Sequence, residues 1–157
     1  MGAGSGLFGY MDADCVAFSV LGILILVAAV ADARTRTYPA LLAMAVAAAG
    51  AWCALARGGA DTLGAHCLAA CAVSGLLVVF EIAWRRHHDG TAGLGMGDVK
   101  YLFGTMLADP AYALTGFSVG LALLALAGTI CRRPSLPLLP FVAAATALVV
   151  APSVLAG

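Results

Sequence analysis

Five stretches of this chain are each about as long as a helix needs to be to cross hydrocarbon, about 20 residues, and they leave little chain for anything else. They are Cys15 to Ala31, about Tyr38 to Ala56, about Thr62 to Trp84, about Ala111 to Cys131 and about Leu136 to Leu155. A sixth apolar stretch, VKYLFGTML after Asp98, is too short to span unless it tilts, thins the bilayer or starts inside a polar cavity. No polar segment remains that could build a soluble domain. The sequence is 63% hydrophobic and 10% charged, where a soluble domain carries about a quarter charged residues. The expectation is an all-α integral membrane protein, one membrane-embedded domain over residues 1–157, built as a bundle of about six transmembrane helices.

The cations set the orientation. Arg34 and Arg36 follow the first run, Arg85 and Arg86 the third, Lys100 opens the fourth, and Arg132 and Arg133 follow the fifth. With six crossings these seven fall on one side, and only Arg57 falls on the other. Cationic loops stay in the cytoplasm, so both termini are expected outside. Asp12, Asp14, Asp61 and Asp109 then share the outer side. The start of the chain lacks the basic residues of a secretory signal. No basic surface is left for nucleic acid.

Two acids stand apart from this pattern. Asp32 ends the first run in ADARTRTYPALL, and Asp98 opens the short run in GLGMGDVKYL. Two crossings separate them, so both come to the same cytoplasmic membrane boundary. Acids near hydrocarbon are costly and tend to be functional. Two neighbouring carboxyl groups do not both ionise cheaply, so one keeps a proton while the other is charged. The charged one can draw a proton from water and the protonated one can polarise a carbonyl. Gly93, Gly95 and Gly97 precede and flank Asp98, where missing side chains and free dihedrals would let an extended peptide approach. Taken singly, each feature has a plainer reading. Asp98 fits a helix N-cap, Asp32 an interfacial acid beside Arg34 and Arg36, and the glycines a loop.

The remaining polar residues divide in the same way. Glu81 stands four residues before Arg85, the spacing of a helical ion pair, or supports the acids. Lys100 either snorkels to head groups or sits near the aspartates. Asp89 is an acid in the same loop as the glycines, and His87 and His88 are interfacial loop residues. His66 reads as a hydrogen-bonded packing residue. Cys67 and Cys71 share a helix face with no ligand set for zinc, and all five cysteines are expected to stay thiols. Gly116 and Gly120 have the spacing that permits close helix approach, most simply inside one bundle.

Three segments carry a family resemblance. GMGDVK resembles the GxGD signature of the type IV prepilin peptidases, which are membrane aspartic proteases. DARTRTYPALL, with its Tyr38–Pro39 pair, resembles their first-aspartate region, and LPLLPFVAAATAL is similar to their final-helix entry. Ala40 stands where many relatives have Asn. The resemblance implies an endopeptidase of the prokaryotic cytoplasmic membrane that removes short leader peptides from prepilin, pseudopilin or preflagellin-like substrates. It places catalysis on Asp32 and Asp98 and Lys100 near them; the residues themselves put substrate approach at Gly93, Gly95 and Gly97, with Pro39 and Glu81 as candidate supports. It implies no metal, no cofactor and, in this short form, no methyltransferase domain. Two other functions stay open on the residues themselves. One is a GxGD protease cutting within transmembrane helices, and the other is a small membrane subunit or transporter using the acids as a proton relay.

Overall fold

A computed structural model describes residues 5–35, 37–88, 95–131 and 137–155, with burial and side-chain detail starting at residue 13 and ending at 148. Five α-helices account for nearly all of them: α1 (Ser5–Thr35), α2 (Ala40–His87), α3 (Met96–Ala108), α4 (Pro110–Cys131) and α5 (Leu139–Leu155). Among the described residues there is no strand. Residues 13–35 of α1, all of α2, and α4 are long and apolar enough to cross a membrane by length and composition.

The second and third apolar runs are joined in α2, which has 48 residues. Straight, it would extend about 72 Å, more than twice a bilayer's hydrocarbon core. It is broken instead at Gly58 (φ −150°, ψ 16°) and Gly59 (φ 69°, ψ −157°). The positive φ at Gly59 is sterically open to glycine and costly for other residues. The chain reverses there. In the first arm, residues 40–57, Ala47 and Gly50 lie against Gly104 and Leu107 of α3. In the second arm, residues 60–87, His66 donates through Nδ1 to the Leu107 carbonyl at 3.0 Å. Further along that arm, Ser74 and Val78 come level with Met96, Val99 and Phe103. The first arm therefore runs parallel to α3 and the second antiparallel, with α3 seated against both.

Glycine makes the first of these contacts possible. A Cβ on Gly50 would collide with the Gly104 carbonyl oxygen, and one on Gly104 would lie 2.9 Å from Val46 and 3.1 Å from the Ala47 nitrogen. The Gly116–Gly120 pair does the same for α4 and α5, where a Cβ on Gly120 would lie 2.7 Å from the Val142 Cα. This is close approach within the bundle. Around these crossings pack Tyr101, Leu102, Met106, Leu139 and Val142, each at most 2% exposed, with Ala28 of α1 against them. A second cluster joins Ala17 and Leu21 of α1 to Val46, Cys53 and Ala108.

The end of the bundle near the α2 reversal is tied by charge. Asp109 caps α4, its Oδ1 accepting the Ala111 and Tyr112 N–H groups at 3.0 and 3.1 Å. Its Oδ2 pairs with Arg57 at 3.3 Å, and the Arg57 guanidinium lies 4.1 Å from the centre of the Phe18 ring.

If α3 is held by glycine contact, Gly104→Ile should lower the unfolding midpoint of the detergent-solubilised protein by the equivalent of at least about 1–3 kcal/mol, the usual cost of overpacking. Gly75 has nothing within 4 Å of its missing Cβ, so Gly75→Ile should leave the midpoint nearly unchanged. Equal midpoints for the two variants would show that the α2–α3 contact is not tight.

Candidate active site

Asp32 sits one turn before the end of α1, and Asp98 in the first turn of α3. Sixty-six residues separate them in sequence, yet the charge of Asp32 is felt at Asp98. Folding brings the two acids to the same end of the bundle, opposite the Arg57–Asp109 pair.

The two carboxyl groups are held differently. Asp32 accepts, through Oδ2, the backbone N–H of Leu139 at 3.2 Å. Leu139 opens α5; the Leu138 carbonyl accepts that helix's first bonds, from Phe141 at 3.0 Å and Val142 at 3.2 Å. Pro140 has no N–H to offer, so the Leu139 N–H is the donor that turn leaves open, and Asp32 takes it. A carboxylate is favourably placed at the positive end of a helix.

Asp98 is not the N-cap that the sequence suggests. Gly95 is the N-cap of α3, with no side-chain capping bond of its own, and Asp98 is the third residue of the helix. From there its carboxylate folds back to the Gly95 backbone, as the acid of a capping box does. Asp98 lies outside the three candidate spans. Its pKa is pushed up to about 6 from an ordinary 3.8, first by burial and then by the charge of Asp32, with the Gly95 backbone bond opposing.

The glycines are explained by space rather than by unusual dihedrals. Gly95 has an ordinary extended backbone (φ −68°, ψ 132°). A Cβ there would lie 2.8 Å from Asp98 Oδ2 and obstruct the folded-back carboxylate. A Cβ on Gly97 would lie 3.1 Å from the Tyr38 Cβ. Gly93 lies outside the described residues, as does Asp89.

Tyr38 is the residue that sequence reasoning missed. It follows Asp32 by six positions, packs on Gly97 next to Asp98, and meets Tyr101 edge to face with ring centres 6.3 Å apart. One side chain thus fixes the loop after Asp32 against the turn that carries Asp98. The next residue, Pro39, is the N-cap of α2, and its carbonyl accepts Ala43 N–H at 3.1 Å.

Lys100 and Glu81 are held in other ways. Lys100 lies roughly 160° round the helix from Asp98, on the outer face of α3 beside Met96, Val99 and Phe103. It is not among the charges that shift Asp98. Glu81 is 2% exposed and accepts Arg85 Nε at 2.6 Å, the helical ion pair its spacing indicated. His88 stacks on Trp84 with ring centres 3.9 Å apart. Among the described residues, no three His, Cys, Asp or Glu side chains gather as a metal site would require.

Compared with family models, curated proteins and solved structures, the chain matches none of them.

Because Asp98 binds its proton more tightly folded than unfolded, its contribution to stability is complete below about pH 4 and is lost as pH rises through about 6. The unfolding midpoint should therefore fall between pH 4 and 7, and Asp98→Asn should remove that part of the slope. Parallel profiles for the two proteins would rule out a buried, proton-retaining Asp98.

Proposed function

We propose that this chain is a membrane aspartic endopeptidase. Its substrates are prepilin-like or preflagellin-like proteins, cut between a short leader and an apolar helix at the cytoplasmic membrane face. The observation that carries the reading is the convergence of Asp32 and Asp98 from two helix ends, close enough for the charge of Asp32 to be felt at Asp98. The GMGDVK and DARTRTYPALL segments around those acids supply the substrate class by resemblance.

The topology that goes with it has six crossings. The two arms of α2 each cross once, α3 is the short crossing that starts at the boundary, and the cationic ends face the cytoplasm. Both acids then stand at the cytoplasmic surface.

The chemistry follows from the asymmetry of the pair. Asp32, oriented by the Leu139 N–H, accepts a proton from water as the water oxygen bonds to the scissile carbonyl carbon. Asp98 gives its proton to the carbonyl oxygen, which neutralises the charge that develops there. As the tetrahedral centre collapses, the C–N bond breaks, the amine nitrogen takes the proton held by Asp32, and a hydroxyl of the diol returns its proton to Asp98 as the new carboxyl group forms. The new carboxyl and amine termini depart, and the pair again shares one proton.

Co-expression with a leader-bearing prepilin, read as a gel shift, tests this. Asp32→Asn and Asp98→Asn should each lower cleavage at least about a hundredfold, the scale of general acid–base catalysis. The double variant should be little worse than either, since residues acting as one unit are non-additive. Asp89→Asn should cleave nearly normally. A stably inserted Asp98→Asn protein that still cleaves near the wild-type rate would end the assignment.

A further inference from the structure

Asp32 and Asp98 repel each other when both are ionised, and no hydrogen bond joins their carboxyl groups among the described residues. Asp32 turns to the Leu139 N–H of α5, and Asp98 turns to the Gly95 backbone. Something other than a bond between them keeps the pair together.

Tyr38 stands where such a spacer has to stand. On the Asp32 side, Thr35 Oγ1 donates to the Ala31 carbonyl at 2.8 Å and is bonded to Thr37 Oγ1 at 2.8 Å. The approach to Tyr38 is thereby tied to the last turn of α1, which carries Asp32. On the Asp98 side, a Cβ on Gly97 would lie 3.1 Å from that of Tyr38, so the side chain rests on the residue before Asp98. The ring then meets Tyr101, one turn further along α3. Tyr101 is 1% exposed, and its hydroxyl approaches that of Thr146 in α5. Thr146 lies two turns beyond Leu139 on the same helix. The Tyr38 ring therefore bears on α3, Tyr101 bears on α5, and α5 holds Asp32. The hydroxyl adds nothing to this circuit: Tyr38 Oη is buried and makes no hydrogen bond among the described residues.

We infer that Tyr38 is a positioning residue of the acid pair. Its ring, wedged between the loop after Asp32 and the first turn of α3, sets the distance between Asp32 and Asp98, and its hydroxyl takes no part. The inference rests on the reading of those acids as the working pair of an endopeptidase. Their distance decides how strongly a charge on one holds a proton on the other, and so the pH range over which the pair shares a single proton. Asp32 is the charged side chain that raises Asp98, and Tyr38 and Tyr101 are the phenols beside that turn.

Carbon NMR of the full chain in micelles, labelled at its aspartate carboxyls, reads the pair without any substrate. The Asp98 signal is the one lost in Asp98→Asn, and in the wild type it should titrate at about 6. Tyr38→Leu lets the acids separate, so Asp98 should bind its proton at least about threefold more weakly and its midpoint should fall by about half a pH unit. Tyr38→Phe should keep the wild-type midpoint. In an Asp32→Asn background, Tyr38→Leu should no longer move it, whereas water entering beside Asp98 would move it equally in both backgrounds. If Tyr38→Leu does not insert, Gly97→Ala, whose Cβ crowds the Tyr38 side chain, should lower the midpoint in its place. An unchanged midpoint in the inserted variant, a Tyr38→Phe protein that shifts as Tyr38→Leu does, or an equal shift with and without Asp32 would each overturn the inference. A wild type that cleaves no prepilin would remove the peptidase reading and leave the titration to decide the spacing. In a wild type that cleaves, the alkaline limb of the rate profile should move down in Tyr38→Leu together with the Asp98 midpoint.

Discussion

The backbone contact between Gly50 and Gly104 underlies the arrangement of the whole bundle. In lipid, burying apolar side chains against one another gains little over leaving them in acyl chains, so helices associate through close packing and polar contact. Removing two Cβ atoms lets α3 lie against the first arm of α2 at backbone distance. The reversal at Gly58 and Gly59 brings the second arm to α3 as well, where His66 binds the Leu107 carbonyl. A helix of only 13 residues is thereby fixed against two long neighbours. Its first turn, with Asp98, inherits that fixity.

The acid pair is unequal because its two members end different kinds of contact. Asp32 closes a helix-to-helix joint, since α5 would otherwise begin with a free N–H. Asp98 turns back on its own helix, half-enclosed, and faces the charge of Asp32. Burial and the charge of Asp32 make Asp98 hold its proton more tightly than an ordinary carboxyl group. No adjustment by Lys100 is needed, and the helix places Lys100 on the far side.

Much of this was legible in the residues. The apolar runs gave the helices, and the Gly58–Gly59 break falls between the second and third of them, where Ala56 and Thr62 marked their limits. The Glu81–Arg85 pair and the inward use of Gly116 and Gly120 followed from helical spacing. Fusion of two runs into one long broken helix was not legible, because the bond pattern across a glycine pair depends on the packing on either side. Capping misled at Asp98: an acid three positions into a helix and an acid just before it look alike when glycines surround both. Tyr38 and the Leu139 N–H were invisible for a different reason. One acts through a neighbour's missing side chain, and the other is a backbone group 107 residues from its acceptor.

The bond from Leu139 to Asp32 also sets an order in time. Ribosomes deliver residue 32 long before residue 139, so during synthesis the first acid emerges without the donor that orients it. The nascent chain carries α1 to α4 and both carboxyl groups before α5 begins. Only arrival of the last helix completes the joint. The acid pair would in this way lack its oriented member until translation is nearly finished, and a truncated product would stay so.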